Sequence, residues 1–210
     1  MKKHISKGKF IVLEGGEACG KSSQISVLKK LYKNKNFIFT REPGGTEIAN
    51  QIRDIIVKGA ADKILPETEL ALIYAARFEH IHKVILPALN EGKNVISDRF
   101  NLSSYVYQGA ARGLAPELID NFNNIFLQNF KADLTILLDL DVKIAQKRIL
   151  KRNEEDERFE KFGLSFHQKI RSSFLNHAKH DPAIKVIDAS INLNQVSKII
   201  KTEIESLINA

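Results

Sequence analysis

Cysteine is almost missing. Cys19 is the only one in 210 residues, so an intramolecular disulfide is excluded and a reducing, cytoplasmic setting is expected. Long apolar runs are missing too. No stretch approaches the ~18 residues of a membrane span. The basic start, Met1-Lys2-Lys3-His4, leads into no apolar core like that of a secretory leader. A membrane partner is therefore not expected. No repeat and no low-complexity tract interrupts the chain. Acidic residues are outnumbered, 25 against 32 basic ones, for a net charge of +7. That surplus suits either a nucleic-acid surface or a pocket for polyphosphates, which needs several uncompensated Arg and Lys. What remains is ordinary for a globular protein: 43% hydrophobic and 27% charged residues. The length fits a single domain over residues 1–210, enough to bury about 70% of its unfolded surface.

The chain is organised around residues 10–24, FIVLEGGEACGKSSQ. Phe10, Ile11, Val12 and Leu13 form a short apolar run without helical spacing, as in a buried strand. Gly15 to Ser22 then fits G-x-x-x-x-G-K-[ST], a phosphate-binding loop. Glycines suit it because backbone N–H groups must curl around phosphate oxygens at dihedrals that a Cβ would forbid. Lys21 can reach the β- and γ-phosphates as a point charge. The Ser22 hydroxyl can ligate Mg²⁺. Ile25, Leu28 and Leu31 then recur at helical spacing, predicting a helix over 23–32 with its N-terminus toward the anion.

The rest alternates. A strand over 37–40 leads into Arg41-Glu42-Pro43-Gly44-Gly45-Thr46, either a plain turn or a ligand loop at a strand's C-terminal end. A helix over 47–57 projects Arg53. A helical region over 67–90 should kink at Pro87. It carries Ile73 and Arg77 on one face, Arg77 being solvated or functional. A strand over 94–97 delivers Asp98-Arg99, with Asp98 a cap or a Mg²⁺-side carboxylate. Residues 101–113 hold Ser103, Ser104, Tyr105, Tyr107, Gln108 and Arg112, unusual for a plain core helix. Pro116 opens a helix to about residue 130. The near-continuous apolar run over 134–140 fits a parallel strand covered on both faces. Residues 141–158 are dense in charge: a solvated helix end or a mobile lid closing over phosphates. A helix over 165–179, a strand at 186–187 and a helix over 193–208 complete the order. Such alternation predicts an α/β fold: a five-stranded parallel sheet with helices on both faces, of P-loop NTPase type, with a short lid at about 151–163.

Taken together, these segments resemble thymidylate kinases, P-loop nucleoside monophosphate kinases that make dTDP from dTMP and ATP. The likeness runs over essentially the whole chain. TREPGGT at 40–46, YAAR at 74–77 and DRFNLSSYVYQG at 98–109 are similar to that family's motifs, the last being the most diagnostic. The resemblance implies ATP held by Gly15, Gly16, Glu17, Ala18, Cys19, Gly20, Lys21, Ser22 and Ser23, with Arg148. It implies Mg²⁺ at Ser22 and Asp98. Glu17 would lie near the monophosphate sugar, and Arg53 and Arg99 would grip the dTMP phosphate. Arg77 would bond the thymine edge, with Glu42, Ile73, Ser104 and Gln108 completing the substrate side. The phosphate loop has no arginine, so Arg152 and Arg158 of the lid become candidates for transition-state stabilisation beside Lys21 and Arg99. A homodimer is implied as well. One departure is Ile73, where the family usually stacks a phenylalanine on the base; Tyr74, Tyr105 or Tyr107 could compensate.

The expected chemistry is phosphoryl transfer, which needs two anionic phosphates brought in line and neutralised. dTMP and ATP are then the partners, without nucleic acid or membrane. A kinase for another nucleotide or a deoxynucleoside is the first alternative, and an ATPase switch protein the second.

Overall fold

The computed structural model describes residues 7–151 and 158–209. In chain order its strands and α-helices are β1 Phe10–Glu14, α1 Lys21–Leu31, β2 Phe37–Arg41, α2 Glu47–Val57, α3 Pro66–His80, α4 Leu86–Asn90, β3 Asn94–Asp98, α5 Asn101–Ser104, α6 Pro116–Phe126, β4 Leu134–Asp139, α7 Val142–Leu150, α8 Leu164–His180, β5 Ile184–Asp188 and α9 Leu193–Asn209. The sheet order is β2-β3-β1-β4-β5, and every pairing is parallel.

The apolar run of β1 has a simple cause. Successive strand residues face opposite ways, and both faces are covered. Ile11 and Leu13 pack with Leu28, Ile200 and Ile204 beneath α1 and α9. Phe10 and Val12 pack with Leu70, Tyr74 and Ile85 on the other side. Each such side chain stabilises the fold by roughly 1.5–3 kcal/mol. Local chemistry starts the helices. The Thr46 hydroxyl accepts from the Ala49 N–H at 3.1 Å and caps α2. Pro66 and Pro116 open α3 and α6, where a missing N–H costs nothing.

The region expected to kink at Pro87 does so as a π-helical segment, Ile81–Ile85. Pro87 has no N–H and its ring crowds the carbonyl four residues back. The turn ahead of it widens, and the Leu86 N–H bonds to Ile81 O. A second π-helical segment, Tyr105–Ala111, follows α5. Helix α6 stops earlier than the sequence suggests, because Gln128 and Asn129 take left-handed φ of 48° and 69°. Strand β5 is longer than expected, and α1 begins two residues sooner, at Lys21.

The register sets up the site. Arg41 pairs with Asp98, and Asp98 with Leu13. The C-terminal ends of three neighbouring strands therefore lie in one row. The Arg99 N–H donates to Leu13 O, and the Glu42 N–H to Asp98 O, both at 2.9 Å. Three loops leave this row together.

Candidate active site

The loop after β1 turns at Gly15, with φ of 146°. A Cβ there would lie 2.6 Å from Leu138 O and 2.7 Å from the Cys19 sulfur, so only glycine fits. Gly20 leaves the loop at φ 100° and α1 starts at once. The Lys21 side chain folds back so that Nζ donates to Gly15 O and Gly16 O, each at 2.9 Å. Arg148, from α7, bridges Ala18 O and Ala189 O at 3.2 and 3.1 Å. It thereby joins the loop to the segment after β5.

Arg99 stands opposite, at φ 70°. It donates to Glu17 Oε1 at 2.7 Å and to Gly15 O at 3.0 Å. Its guanidinium lies 4.8 Å from the centre of the Tyr107 ring, and the Tyr107 hydroxyl donates to the same Glu17 oxygen at 2.8 Å. Burial pushes the Glu17 carboxyl up, but the charges of Arg99 and Lys21 and the Tyr107 bond outweigh it and hold it at about 2. Burial wins at Glu14, whose carboxyl is raised despite Arg99 and its bonds from Ser103 and Phe100. Glu14 accepts from the Phe100 N–H at 2.9 Å and the Ser103 hydroxyl at 2.7 Å. It straps the loop after β3 to β1.

Further along the same cavity, Arg77 is buried between the Tyr74 and Phe100 rings. Nε donates to Glu42 at 2.6 Å, Nη1 to Ser104 at 3.0 Å and Asn101 at 3.5 Å, and Nη2 to Phe100 O at 3.1 Å. A guanidinium has five N–H donors; four are taken, and one on Nη2 remains. Ile73 lines the cavity beside it. Gln108 donates to Glu69 at 2.7 Å, and Arg53 donates to Pro43 O at 3.4 Å. One cavity of about 310 Å³ brings together Glu17 to Ser23, Glu42, Arg53, Ile73, Arg77, Asp98, Arg99, Ser104 and Gln108. Tyr107 lines it too, whereas Tyr74 and Tyr105 do not. Arg77, open to either reading in sequence, is here buried and lines the cavity.

Asp98 and Ser22 form a candidate seat for a cation. Asp98 Oδ1 is buried without a hydrogen-bond partner, and both Asp98 and Ser22 line the cavity. No group of three or more His, Cys, Asp or Glu gathers among the described residues. Mg²⁺ keeps several waters and takes few protein oxygens, so it asks for no larger cluster than a hydroxyl and one carboxylate.

Arg158 corrects the expectation that it faces the phosphates. It is fully buried and does not line the cavity. Its Nη1 lies 2.6 Å from Glu69 Oε2 and 3.1 Å from Ile56 O, and Nε reaches Ala60 O and Ala61 O at 3.1 and 3.0 Å. In this conformation it anchors the turn Arg158–Lys161 to the loop after α2. Arg152 and the rest of residues 152–157 of the expected lid lie outside the described residues. Sequence reasoning missed Glu14, Glu69 and His80, all fully buried. The signal was available on α3: Glu69, Ile73, Arg77 and His80 recur at helical spacing, placing three polar residues on an inward face.

A family model described as Thymidylate kinase matches residues 13–200. The chain is 41% identical over 207 residues to the thymidylate kinase of Marinomonas sp. (strain MWYL1), covering 97% of each. It is 44% identical over 203 residues to that of Idiomarina loihiensis, covering 96% of this chain and 98% of the relative. It is also similar to the crystal structure of thymidylate kinase from Ehrlichia chaffeensis. The TM-score is 0.71 at 29% identity, covering 93% of this chain and 98% of that one.

Proposed function

The chain belongs to the thymidylate kinase family and phosphorylates dTMP to dTDP with ATP, and we propose that the residues around its central cavity carry that reaction in the following roles. The carrying observation is the Arg99–Glu17 pair, which sits where the phosphate loop meets the Arg77 end of the cavity.

ATP lies along Gly15 to Ser23, with Lys21 leaving the carbonyls of Gly15 and Gly16 for the β- and γ-phosphates. Arg148 holds the ATP side at the junction of the phosphate loop and the segment after β5. dTMP lies opposite. Arg53 and Arg99 take its phosphate, Glu17 lies near its sugar, and the last Nη2 hydrogen of Arg77 meets the base edge. Glu42 and Ser104 hold Arg77, while Ile73 and Gln108 wall the base pocket. Ser22 and Asp98 would hold Mg²⁺, which when bound neutralises charge on the phosphates. The protein's own contribution is position and charge. The two anions are brought in line by fixed cations, so little reorganisation is left for the transition state.

Arg158 is committed to Glu69 in this conformation, which leaves the lid's transition-state role to Arg152. Closure over the site excludes water that would otherwise hydrolyse ATP. The surplus positive charge serves the polyphosphates rather than a nucleic acid. The working unit is a single-domain chain acting as a cytoplasmic homodimer. The exposed Ile48, Ile55 and Phe78 of α2 and α3 support the pairing, which light scattering checks. No helix among the described residues is long and apolar enough to cross a membrane.

Replacing Arg99 by alanine should lower turnover at least 100-fold with the fold intact by circular dichroism. Activity near the unsubstituted level would remove Arg99 from the site. Calorimetric titration with dTMP, dUMP, dGMP and thymidine tests the acceptor, and dTMP should bind most tightly.

A further inference from the structure

One buried polar side chain behind the cavity has no part in the reaction as described. His80 is fully buried and does not line the cavity. Its Nδ1 lies 3.1 Å from Glu42 Oε1, and its Nε2 lies 2.6 Å from the Thr40 hydroxyl. The other oxygen of Glu42, Oε2, accepts from Arg77 Nε. Thr40, His80, Glu42 and Arg77 thus form a line from strand β2 to the base end of the cavity. Gly45 closes over it: a Cβ there would meet the His80 ring at 2.4 Å and the Thr40 hydroxyl at 2.8 Å. The chain comes tight against the imidazole with no room for another side chain.

A carboxylate can only accept, so the hydrogen between His80 and Glu42 sits on Nδ1. That bond fixes the plane of the Glu42 carboxylate. Held on Oε1 by His80, Glu42 offers Arg77 a single oxygen. Released, the carboxylate would be free to turn and take the guanidinium in a two-pronged fork, the strongest geometry for that pair. The second prong would consume the Nη2 hydrogen that no protein group now uses.

We infer that His80 is a positioning residue for base recognition, holding Glu42 through its Nδ1 hydrogen so that Arg77 keeps one donor for the nucleobase. The inference rests on the reading of Arg77 as the base-contacting group. A donor-only guanidinium favours a base with a carbonyl oxygen at that edge over one with an amino group, so His80 also supports discrimination of dTMP from dCMP.

The two ring nitrogens can be separated by substitution. Asparagine puts an amide nitrogen near the place of Nδ1, whereas glutamine puts one near Nε2. His80→Leu and His80→Gln should raise the KM for dTMP at least tenfold and lower the preference for dTMP over dCMP. The kcat and the KM for ATP should stay within threefold. His80→Asn should stay within threefold in every parameter. Equal behaviour of the Asn and Gln variants overturns the inference, as does a normal dTMP KM for His80→Leu. So does a joint collapse of kcat and both KM values, which would mark a general packing role. If His80→Leu does not fold, the Asn and Gln pair decides alone, and failure of both to fold also overturns it. Arg77→Ala is the control. A normal dTMP KM in that variant removes the base-contact reading itself. A raised one beside a normal His80→Leu removes only the role given to His80.

Discussion

Replacing Arg158 by methionine separates an anchor from a catalytic group. Methionine keeps much of the length and apolar contact of arginine but none of its donors. In the native structure the guanidinium meets Glu69 at 2.6 Å and three main-chain carbonyls, those of Ile56, Ala60 and Ala61, at 3.0–3.1 Å. Removing one partner of a buried ion pair costs about 3–5 kcal/mol. Arg112 still reaches the same Glu69 oxygen at 2.6 Å, so the carboxylate is not left bare and the low end, about 3 kcal/mol, is expected. For a chain of this size each kcal/mol moves the melting temperature by roughly 2–4 °C, which gives a fall of about 6–12 °C. The assay pairs urea or thermal unfolding with single-turnover kinetics at a temperature where the variant is fully folded. Folded Arg158→Met should keep kcat within about fivefold. Arg152→Met should lower kcat by a factor of about 100 or more, toward the range lost with an arginine finger. An Arg158 variant that melts normally and loses its turnover would refute the anchor and return the transition-state role to that side chain.

Four further outcomes are expected. The Glu17 carboxyl, lowered from 4.5 to about 2, is charged and paired across most of the acid range. A depressed folded-state value means its stabilisation is present above about pH 4.5 and is lost as the pH falls toward 2, up to about 3 kcal/mol in all. The stability difference between the unsubstituted chain and Glu17→Gln should shrink over that window; a constant difference would show that the Arg99 pair is not coupled to folding. Glu14 has the opposite sign, since its raised value makes its ionised form costly, so Glu14→Gln should narrow the gap as the pH rises. Cys19 is buried and its sulfur lies 3.5 Å from Lys21 Nζ. Alkylation should therefore be slow, should abolish ATP binding, and should be slower still with MgATP; a rate indifferent to nucleotide would remove Cys19 from the phosphate loop. Ile73→Phe should lower the dTMP KM by about 2- to 10-fold, the equivalent of the 0.5–1.5 kcal/mol of an added aromatic contact. An unchanged KM would mean that the base does not lie against residue 73.

The parts of this molecule that sequence reasoning reached are those whose physics is local. A glycine at φ 146° under a neighbouring carbonyl, an apolar run covered on both faces, and a proline at the first turn of a helix each leave a mark within a few residues. The phosphate loop and the strand alternation were legible for that reason, whereas the roles expected of Arg77 and Arg99 came from the resemblance of their segments to a family. Glu69, His80 and Glu14 were not, because what makes a buried charge tolerable is its partner. Those partners lie far along the chain: Gln108 and Arg112 for Glu69, Glu42 and Thr40 for His80, Phe100 and Ser103 for Glu14. The inward turn of Arg158 went unseen for the same reason. In a dense run of charge nothing local distinguishes an arginine aimed at phosphate from one that turns inward to an acid on another helix. The π-helical segments also escaped, since Pro87 announces a kink but not how the preceding turn absorbs it.

The strand that carries the phosphate loop is flanked on both edges, by β3 and β4, whereas β2, which leads to Glu42, has a neighbour on one edge only. Amides of Val12 and Leu13 should therefore exchange with solvent deuterium only when the whole protein opens, and those along β2 sooner. On the placement proposed above, the donor nucleotide would meet a wall that does not give. Any misfit between the two nucleotides would then fall on the acceptor side, where the outer strand has a single neighbour to give way against.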